Sequence, residues 1–267
     1  MGGIERIEEV FRRGRKALIG YTTCGFPSGE DTLRIARKFA EAGCDIIELG
    51  IPFSEPLADG PTIQRSGAIA LERGMTPPLC LEIAGELSRE LEAPIVVLTY
   101  YNPVLALGHR EFCRRAAEAG VSGLIIPDLP PEEGEDLRRE ALECDLALIY
   151  LLAPTSTPER IKLIAERSTG FIYLVSLTGV TGARDRLPPE LEEFVLRVRG
   201  YTEKPLCVGF GIGNAAQARR AARIADGVII GSKLIELIEE DPSLERLYLF
   251  LREVREALGE MEGGSPP

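Results

Sequence analysis

Asp45-Ile-Ile-Glu-Leu-Gly50 is a short aliphatic run that ends on glycine, and it passes directly into Ile51-Pro-Phe-Ser-Glu-Pro-Leu-Ala-Asp-Gly-Pro61, a segment braced by three prolines. The run is apolar at successive positions rather than alternate ones, the pattern of a strand covered on both faces. Seven further runs have the same form: Ala17-Leu-Ile-Gly-Tyr21, Pro94-Ile-Val-Val-Leu-Thr99, Gly123-Leu-Ile-Ile-Pro127, Leu146-Ala-Leu-Ile-Tyr-Leu-Leu152, Phe171-Ile-Tyr-Leu-Val175, Pro205-Leu-Cys-Val-Gly209 and Gly227-Val-Ile-Ile230. Between them lie charged stretches with 3.6-residue periodicity, which predict helices over Asp31–Ala42, Pro78–Leu91, Glu111–Ala119, Glu132–Glu143, Pro158–Arg167, Pro189–Arg199, Asn214–Ile224 and Ser243–Leu258. Ile4–Arg15 reads as an extra helix ahead of the first strand. Eight strand-helix units of roughly thirty residues each are what a closed (β/α)8 TIM barrel requires, because right-handed crossovers return every strand parallel to the last. A doubly wound open sheet would carry its glycine-rich phosphate turn after the first strand, whereas here the glycines gather after the seventh and eighth. No linker-like shift in composition interrupts the series, so residues 1–267 read as one domain, with residues 262–267 as a frayed tail.

The bulk properties narrow the function. A net charge of −11 repels nucleic acid and anionic lipid, so an anionic substrate must be held by local backbone donors rather than by a general positive field. Cys24, Cys44, Cys80, Cys113, Cys144 and Cys207 are scattered, with neither a C-x-x-C pair nor a histidine cluster, which argues against a zinc site or a disulfide framework and for a reducing cytoplasm. Residues 1–16 are charged and lack an apolar leader core, and the longest apolar run, Leu146–Pro154, is too short to span a bilayer. The expectation is a cytoplasmic protein without metal or cofactor.

The loops after the last strands point to a ligand. Gly209-Phe-Gly-Ile-Gly-Asn214 and Gly231-Ser-Lys233 each open a helix, and Thr178-Gly-Val-Thr-Gly-Ala183 follows the sixth strand. Glycine lets the backbone approach an anion closely, and a helix N-terminus presents unpaired N–H groups. As a bare pattern G-x-G-x-G also describes tight strand-to-helix turns with no ligand. On these loops of a barrel it becomes a phosphate signal.

Catalytic equipment is found largely by elimination. His109, the only histidine, opens a helix after the third strand and reads as a surface or capping residue. Lys16 and Lys204 precede strands at the far end of the barrel, Lys38 and Lys162 lie on helices and Lys233 enters the helix after the last strand, so no lysine is placed to form a Schiff base. Carboxylates and hydroxyls at strand ends remain: Glu48, Asp59, Asp128 and Tyr173. An acid flanked by Ile46, Ile47 and Leu49 is desolvated, and burial drives its pKa toward neutrality, where it can both give and take protons. Asp59 reads equally as a reacting acid and as plain Ala-Asp-Gly-Pro turn chemistry. Tyr173 reads equally as a core aromatic.

Glu48-Leu-Gly-Ile-Pro-Phe-Ser-Glu-Pro-Leu-Ala-Asp-Gly-Pro-Thr-Ile-Gln64 resembles the signature of the tryptophan synthase α subunit, the indole-3-glycerol-phosphate lyase family. Tyr100-Tyr-Asn-Pro103, Pro127-Asp-Leu-Pro130, Tyr173-Leu-Val-Ser176, Thr178-Gly-Val-Thr-Gly182, Gly209-Phe-Gly-Ile212 and Gly231-Ser232 extend the resemblance over nearly the whole chain. It implies a retro-aldol cleavage to indole and glyceraldehyde 3-phosphate run by two carboxylates without a cofactor. Glu48 would be the acid/base at C3 and the glycerol hydroxyl, Asp59 would accept the indole N–H, and Tyr173 would support Asp59. Tyr21, Tyr100 and Phe210 would line the indole pocket, while Thr181, Gly182, Gly211, Gly231 and Ser232 would hold the phosphate end. The resemblance also implies a pyridoxal-phosphate-dependent β subunit, joined in an αββα heterotetramer through Pro52, Glu55, Pro56 and Asn102 and receiving indole through a tunnel. Glu55 stands where relatives often carry Asp, and Leu177 where some carry Arg. A stand-alone lyase and a catalytically silent docking barrel are the alternatives.

Overall fold

The computed structural model describes residues 1–175, 189–209 and 211–259. In chain order these form α1 (Gly3–Arg12), β1 (Ala17–Thr23), α2 (Gly29–Ala42), β2 (Ile46–Gly50), α3 (Pro61–Glu72), α4 (Pro77–Glu90), β3 (Ile95–Leu98), α5 (Tyr101–Leu107), α6 (His109–Glu118), β4 (Val121–Ile125), α7 (Glu135–Glu143), β5 (Ala147–Ile149), β6 (Leu151–Leu152), α8 (Pro158–Arg167), β7 (Ile172–Val175), α9 (Pro189–Arg199), β8 (Leu206–Gly209), α10 (Ala215–Ile224), β9 (Gly227–Ile230), α11 (Ser232–Glu240) and α12 (Glu245–Gly259). The strands pair in parallel in the order β5-β4-β3-β2-β1-β9-β8-β7-β6. This is the expected barrel, with its fifth run divided at Tyr150. Strands around a barrel are staggered, so a strand meets its two neighbours at different heights. The lower half pairs Leu148 with Leu124, the upper half pairs Leu152 with Leu174, and Tyr150 O accepts Tyr173 N–H at 3.1 Å to carry the ladder across.

Two apolar layers follow from the two-residue period of the strands. Ala17, Ile19, Ile46, Val96, Ile125, Ile149, Cys207 and Ile229 fill the barrel interior, whereas Leu18, Ile47, Leu49, Val97 and Leu124 face the surrounding helices. The N-terminal mouth is closed by α1, whose Ile7 and Val10 are fully buried in the inner cluster. Gly123 and Gly170 permit this approach, because a Cβ on either would stand 3.0 Å from Ile7. At the same end Asp45 is buried between Arg15 and Arg255, the latter at 2.8 Å, and accepts Leu18 N–H at 2.9 Å.

Helix signals behave as their chemistry dictates. Ser28 accepts Asp31 N–H at 3.1 Å to start α2, and Gly43, at φ 99°, ends it. Helices α3 and α5 carry no such periodic signal. The buried positions of α3 are Ser66, Gly67 and Ala70, small or polar residues that leave no apolar stripe to read. Helix α5 has only seven residues and takes Pro103 in its first turn, where the missing N–H costs nothing. After the last strand, α12 stands where the periodicity placed a helix over Ser243–Leu258, and α11 precedes it.

Candidate active site

Alternation along β2 decides the position of Glu48. Ile46 points into the barrel, so Glu48 two residues on points inward as well, one level nearer the C-terminal mouth. Its register neighbours are Tyr21 on β1 and Val96 on β3. The side chain is 1% exposed, and Oε2 finds no hydrogen-bond partner among the described residues. Burial raises the pKa to about 8, and the charge of Asp59 adds to the shift. A carboxyl group in this state is protonated at neutral pH and remains able to release its proton.

Asp59 is half-buried at the end of the proline-braced loop, one residue before the N-cap of α3. Its backbone is pinned on both sides: Asp59 N–H donates to Pro56 O at 3.0 Å, and Gln64 Nε2 donates to Asp59 O at 2.8 Å. Burial raises its pKa to about 6, while a hydrogen bond from Tyr100 pulls it down. The Tyr100 hydroxyl accepts Ala58 N–H at 3.0 Å, which leaves its own proton for the Asp59 carboxylate. Phe53 stacks on the Tyr100 ring at 5.4 Å between centroids. The hydroxyl expected to support Asp59 was that of Tyr173. In the structure this hydrogen bond comes from Tyr100, because Tyr100 follows β3 directly beneath the loop, whereas Tyr173 sits on β7. Burial and then the charge of Glu48 raise the Tyr173 pKa, with the charge of Asp59 a smaller cause.

Glycines at the strand tops make room for these tyrosines. A Cβ on Gly50 would meet Tyr21 Oη at 2.3 Å, and one on Gly209 would meet the Tyr173 ring at 2.7 Å. Gly209, read from the sequence as part of an anion turn, thus serves packing. Gly211 does adopt a left-handed φ of 66°. Asn214 caps α10 by accepting Gln217 N–H at 2.9 Å, and Gln217 Oε1 accepts Gly213 N–H at 2.8 Å, so these two donors are already engaged. Gly231 opens α11 ahead of a half-buried Ser232, and its Cα face lies against Tyr21 Cδ1, so the tyrosine expected to line the indole pocket and the expected phosphate end adjoin. Thr181, Gly182, Phe210, Leu177 and the 262–267 tail lie outside the described residues.

Other candidates fall away from the chemistry. Asp128 is exposed and accepts Tyr101 N–H at 2.9 Å, starting α5. His109 opens α6 and bonds Tyr101 through Nε2 at 2.8 Å. Lys16 and Lys204 bond Ala225 O at 2.8 Å and Ser168 O at 2.6 Å at the opposite end of the barrel. Among the described residues no group of three His, Cys, Asp or Glu side chains could hold a metal ion, and no helix is long and apolar enough to cross a membrane. Of the expected partner-facing residues, Glu55 and Asn102 are exposed and Pro56 is half-buried, but Pro52 is buried where the chain leaves β2. Leu57, missed in the sequence, is 89% exposed beside them. Ala58 and Phe53 were missed too, since one acts through its backbone N–H and the other through stacking.

The family model for the tryptophan synthase alpha chain matches residues 7–264. The chain belongs to the tryptophan synthase alpha chain family. The alpha chain of Dehalococcoides mccartyi is 51% identical over 255 residues, covering 96% of this chain and all of that one, and the alpha chain of Carboxydothermus hydrogenoformans is 50% identical over 240 residues, 88% of this chain and 90% of its own. Among solved structures, Mycobacterium tuberculosis tryptophan synthase superposes with a TM-score of 0.89 at 40% identity over 95% of this chain and 98% of that one. The alpha chain of Legionella pneumophila does so with a TM-score of 0.89 at 33% identity over 99% and 100%. As a tryptophan synthase alpha chain the protein is a lyase of tryptophan biosynthesis, cleaving indole-3-glycerol phosphate.

Proposed function

We propose that Glu48 and Asp59 carry the cleavage between them. The observation that supports this reading best is the inward acid of β2 and the half-buried acid of the loop that follows it, with separated pKa values, about 8 and about 6. Near neutral pH the first is an acid and the second an anion, which is the division of labour the reaction needs. Glu48 gives its proton to C3 of the indole ring, and the positive charge that develops at the ring nitrogen is held by Asp59, which accepts the N–H. The bond from C3 to the side chain then breaks, its electrons return to the ring, and the Glu48 carboxylate takes the proton of the adjacent hydroxyl as that carbon becomes the aldehyde. The ring itself is the electron sink, so no cofactor enters. Tyr100 orients Asp59, Tyr173 stands by Glu48, and Tyr21 and Phe210 line the indole pocket. Gly211, Gly231 and Ser232, with Thr181 and Gly182, receive the phosphate.

The protein acts as one domain in the cytoplasm, in keeping with its six free thiols, and passes indole to a β subunit in an αββα assembly. The exposed Leu57, with Glu55, Pro56 and Asn102 around it, forms the docking surface beside the catalytic mouth. The test is turnover of indole-3-glycerol phosphate by the purified protein and by Glu48→Gln and Asp59→Asn. Both variants are expected to fold and to lose roughly a hundredfold or more in rate. Wild-type turnover in either would remove that residue from the mechanism.

A further inference from the structure

A chain of buried hydroxyls beside the two acids has no part in the reaction as described. Thr23 and Ser66 are polar side chains only 1% and 0% exposed. Tyr21 Oη lies 3.2 Å from Thr23 Oγ1, Thr23 Oγ1 lies 2.6 Å from Ser66 Oγ, and Ser66 Oγ lies 2.8 Å from Ile63 O. A carbonyl oxygen only accepts, and each hydroxyl has a single proton to donate. All three bonds therefore form together in one polarity: Ser66 donates to Ile63 O, Thr23 donates to Ser66, and Tyr21 donates to Thr23. The Tyr21 proton is thereby committed to the chain, and its oxygen turns only lone pairs toward the rest of the pocket.

The position of that oxygen gives the polarity a consequence. Tyr21 and Glu48 are register partners, and Tyr21 Oη rises over Gly50 at the top of β2. The charges of Asp59 and Glu48 and the hydroxyl of Tyr100 all bear on it. Glu48 is faced in addition by Tyr173 from β7, by Cys207 from β8 and by Asp59 from the loop. A hydroxyl donating to a carboxylate favours the anion, whereas one that can only accept favours the protonated acid. Ser66 lies in α3, the helix that begins directly after Asp59 and Gly60, so the same chain ties the Asp59 loop to β1.

We propose that Thr23 and Ser66 are positioning residues that hold the Tyr21 hydroxyl as a hydrogen-bond acceptor in the indole pocket, withholding its proton from the Glu48 and Asp59 carboxylates and keeping Glu48 in its acid form. This rests on the reading of Glu48 as the proton donor.

The test is the pH dependence of kcat/KM for indole-3-glycerol phosphate cleavage by the intact protein and its variants. Thr23→Val keeps the side-chain shape but removes the acceptor, freeing the Tyr21 proton to turn toward a carboxylate. The alkaline limb should then move to lower pH by roughly half a unit or more. Tyr21→Phe has no proton to redirect and should show no downward shift, and the Tyr21→Phe/Thr23→Val double variant should follow Tyr21→Phe. Thr23→Ser restores the hydroxyl and the original limb. Should Thr23→Val fail to fold, Ser66→Ala removes the next acceptor and shifts the limb in the same direction. An alkaline limb unmoved in both Thr23→Val and Ser66→Ala overturns the proposal, as does a downward shift that persists in the double variant. Full turnover in Glu48→Gln overturns the underlying assignment instead, while an inactive Glu48→Gln beside a limb unmoved in both Thr23→Val and Ser66→Ala overturns the hydroxyl chain alone.

Discussion

Replacing Tyr100 with Phe separates the role of this hydroxyl from that of its ring. The ring stacks on Phe53 and stays, while the hydroxyl that donates to Asp59 is lost. That hydrogen bond lowers the Asp59 pKa, so Tyr100→Phe must raise it from its present value of about 6. A hydrogen bond to a charged group contributes about 1.5 kcal/mol, equivalent to about one pKa unit, which puts Asp59 near 7 in the variant. The active form has Glu48 protonated and Asp59 ionised, and the Glu48 limb stays near 8. At about pH 6 the active fraction then falls from about one half to about one tenth, a loss of about fivefold in kcat/KM, while at about pH 8 it barely changes. Initial rates of indole release at subsaturating substrate, measured across this range, give both limbs directly. Tyr173→Phe serves as the control, because its hydroxyl neighbours Glu48 and should leave the acid limb in place. An acid limb that stays put in Tyr100→Phe, or one that moves in Tyr173→Phe instead, would refute the assignment of Tyr100 to Asp59.

Three further outcomes follow from the same geometry. Glu48→Gln should be more stable than the parent protein in alkaline buffer: the folded pKa of about 8 exceeds the ordinary value of 4.5, so the parent loses stability as pH rises between those values and the neutral amide does not. The gap should reach on the order of a few kcal/mol in urea denaturation at high pH and vanish in acid. Asp45→Ala leaves Leu18 N–H and the nearly buried Arg255 without their carboxylate, and denaturation should show a loss of about 3–5 kcal/mol. Gly50→Ala drives a Cβ to 2.3 Å from Tyr21 Oη and should lower kcat by on the order of a hundredfold, whereas Gly67→Ala, whose Cβ meets open space, should not; equal rates for the two would sink the packing argument.

Much of the barrel was legible because buried parallel strands are apolar at every position, and that signal survives without any knowledge of neighbours. Glu48 was legible for the same reason in reverse, as a charge where the pattern demands an aliphatic residue. The division of the fifth run at Tyr150 was not, since it records the stagger between neighbours rather than any local preference. Nor were α3 and α5, the first packed through the small Ser66 and Ala70 and the second only seven residues long. Gly209 misled in a different way: a glycine permits close approach, but the sequence does not say whether an anion or the Tyr173 ring is what approaches.

By itself the sequence determined the alternation of strand and helix, the inward acid on β2, and the stiff loop that bears Asp59, because each rests on hydrophobic period or backbone restriction within a few residues. The tertiary structure alone decided the partners. Tyr100 rather than Tyr173 reaches Asp59, and Tyr21, Thr23 and Ser66 meet although the last two stand 43 positions apart in the chain. Side-chain hydrogen bonds depend on where strand ends and helices converge in space, and closure of the barrel is what brings them together.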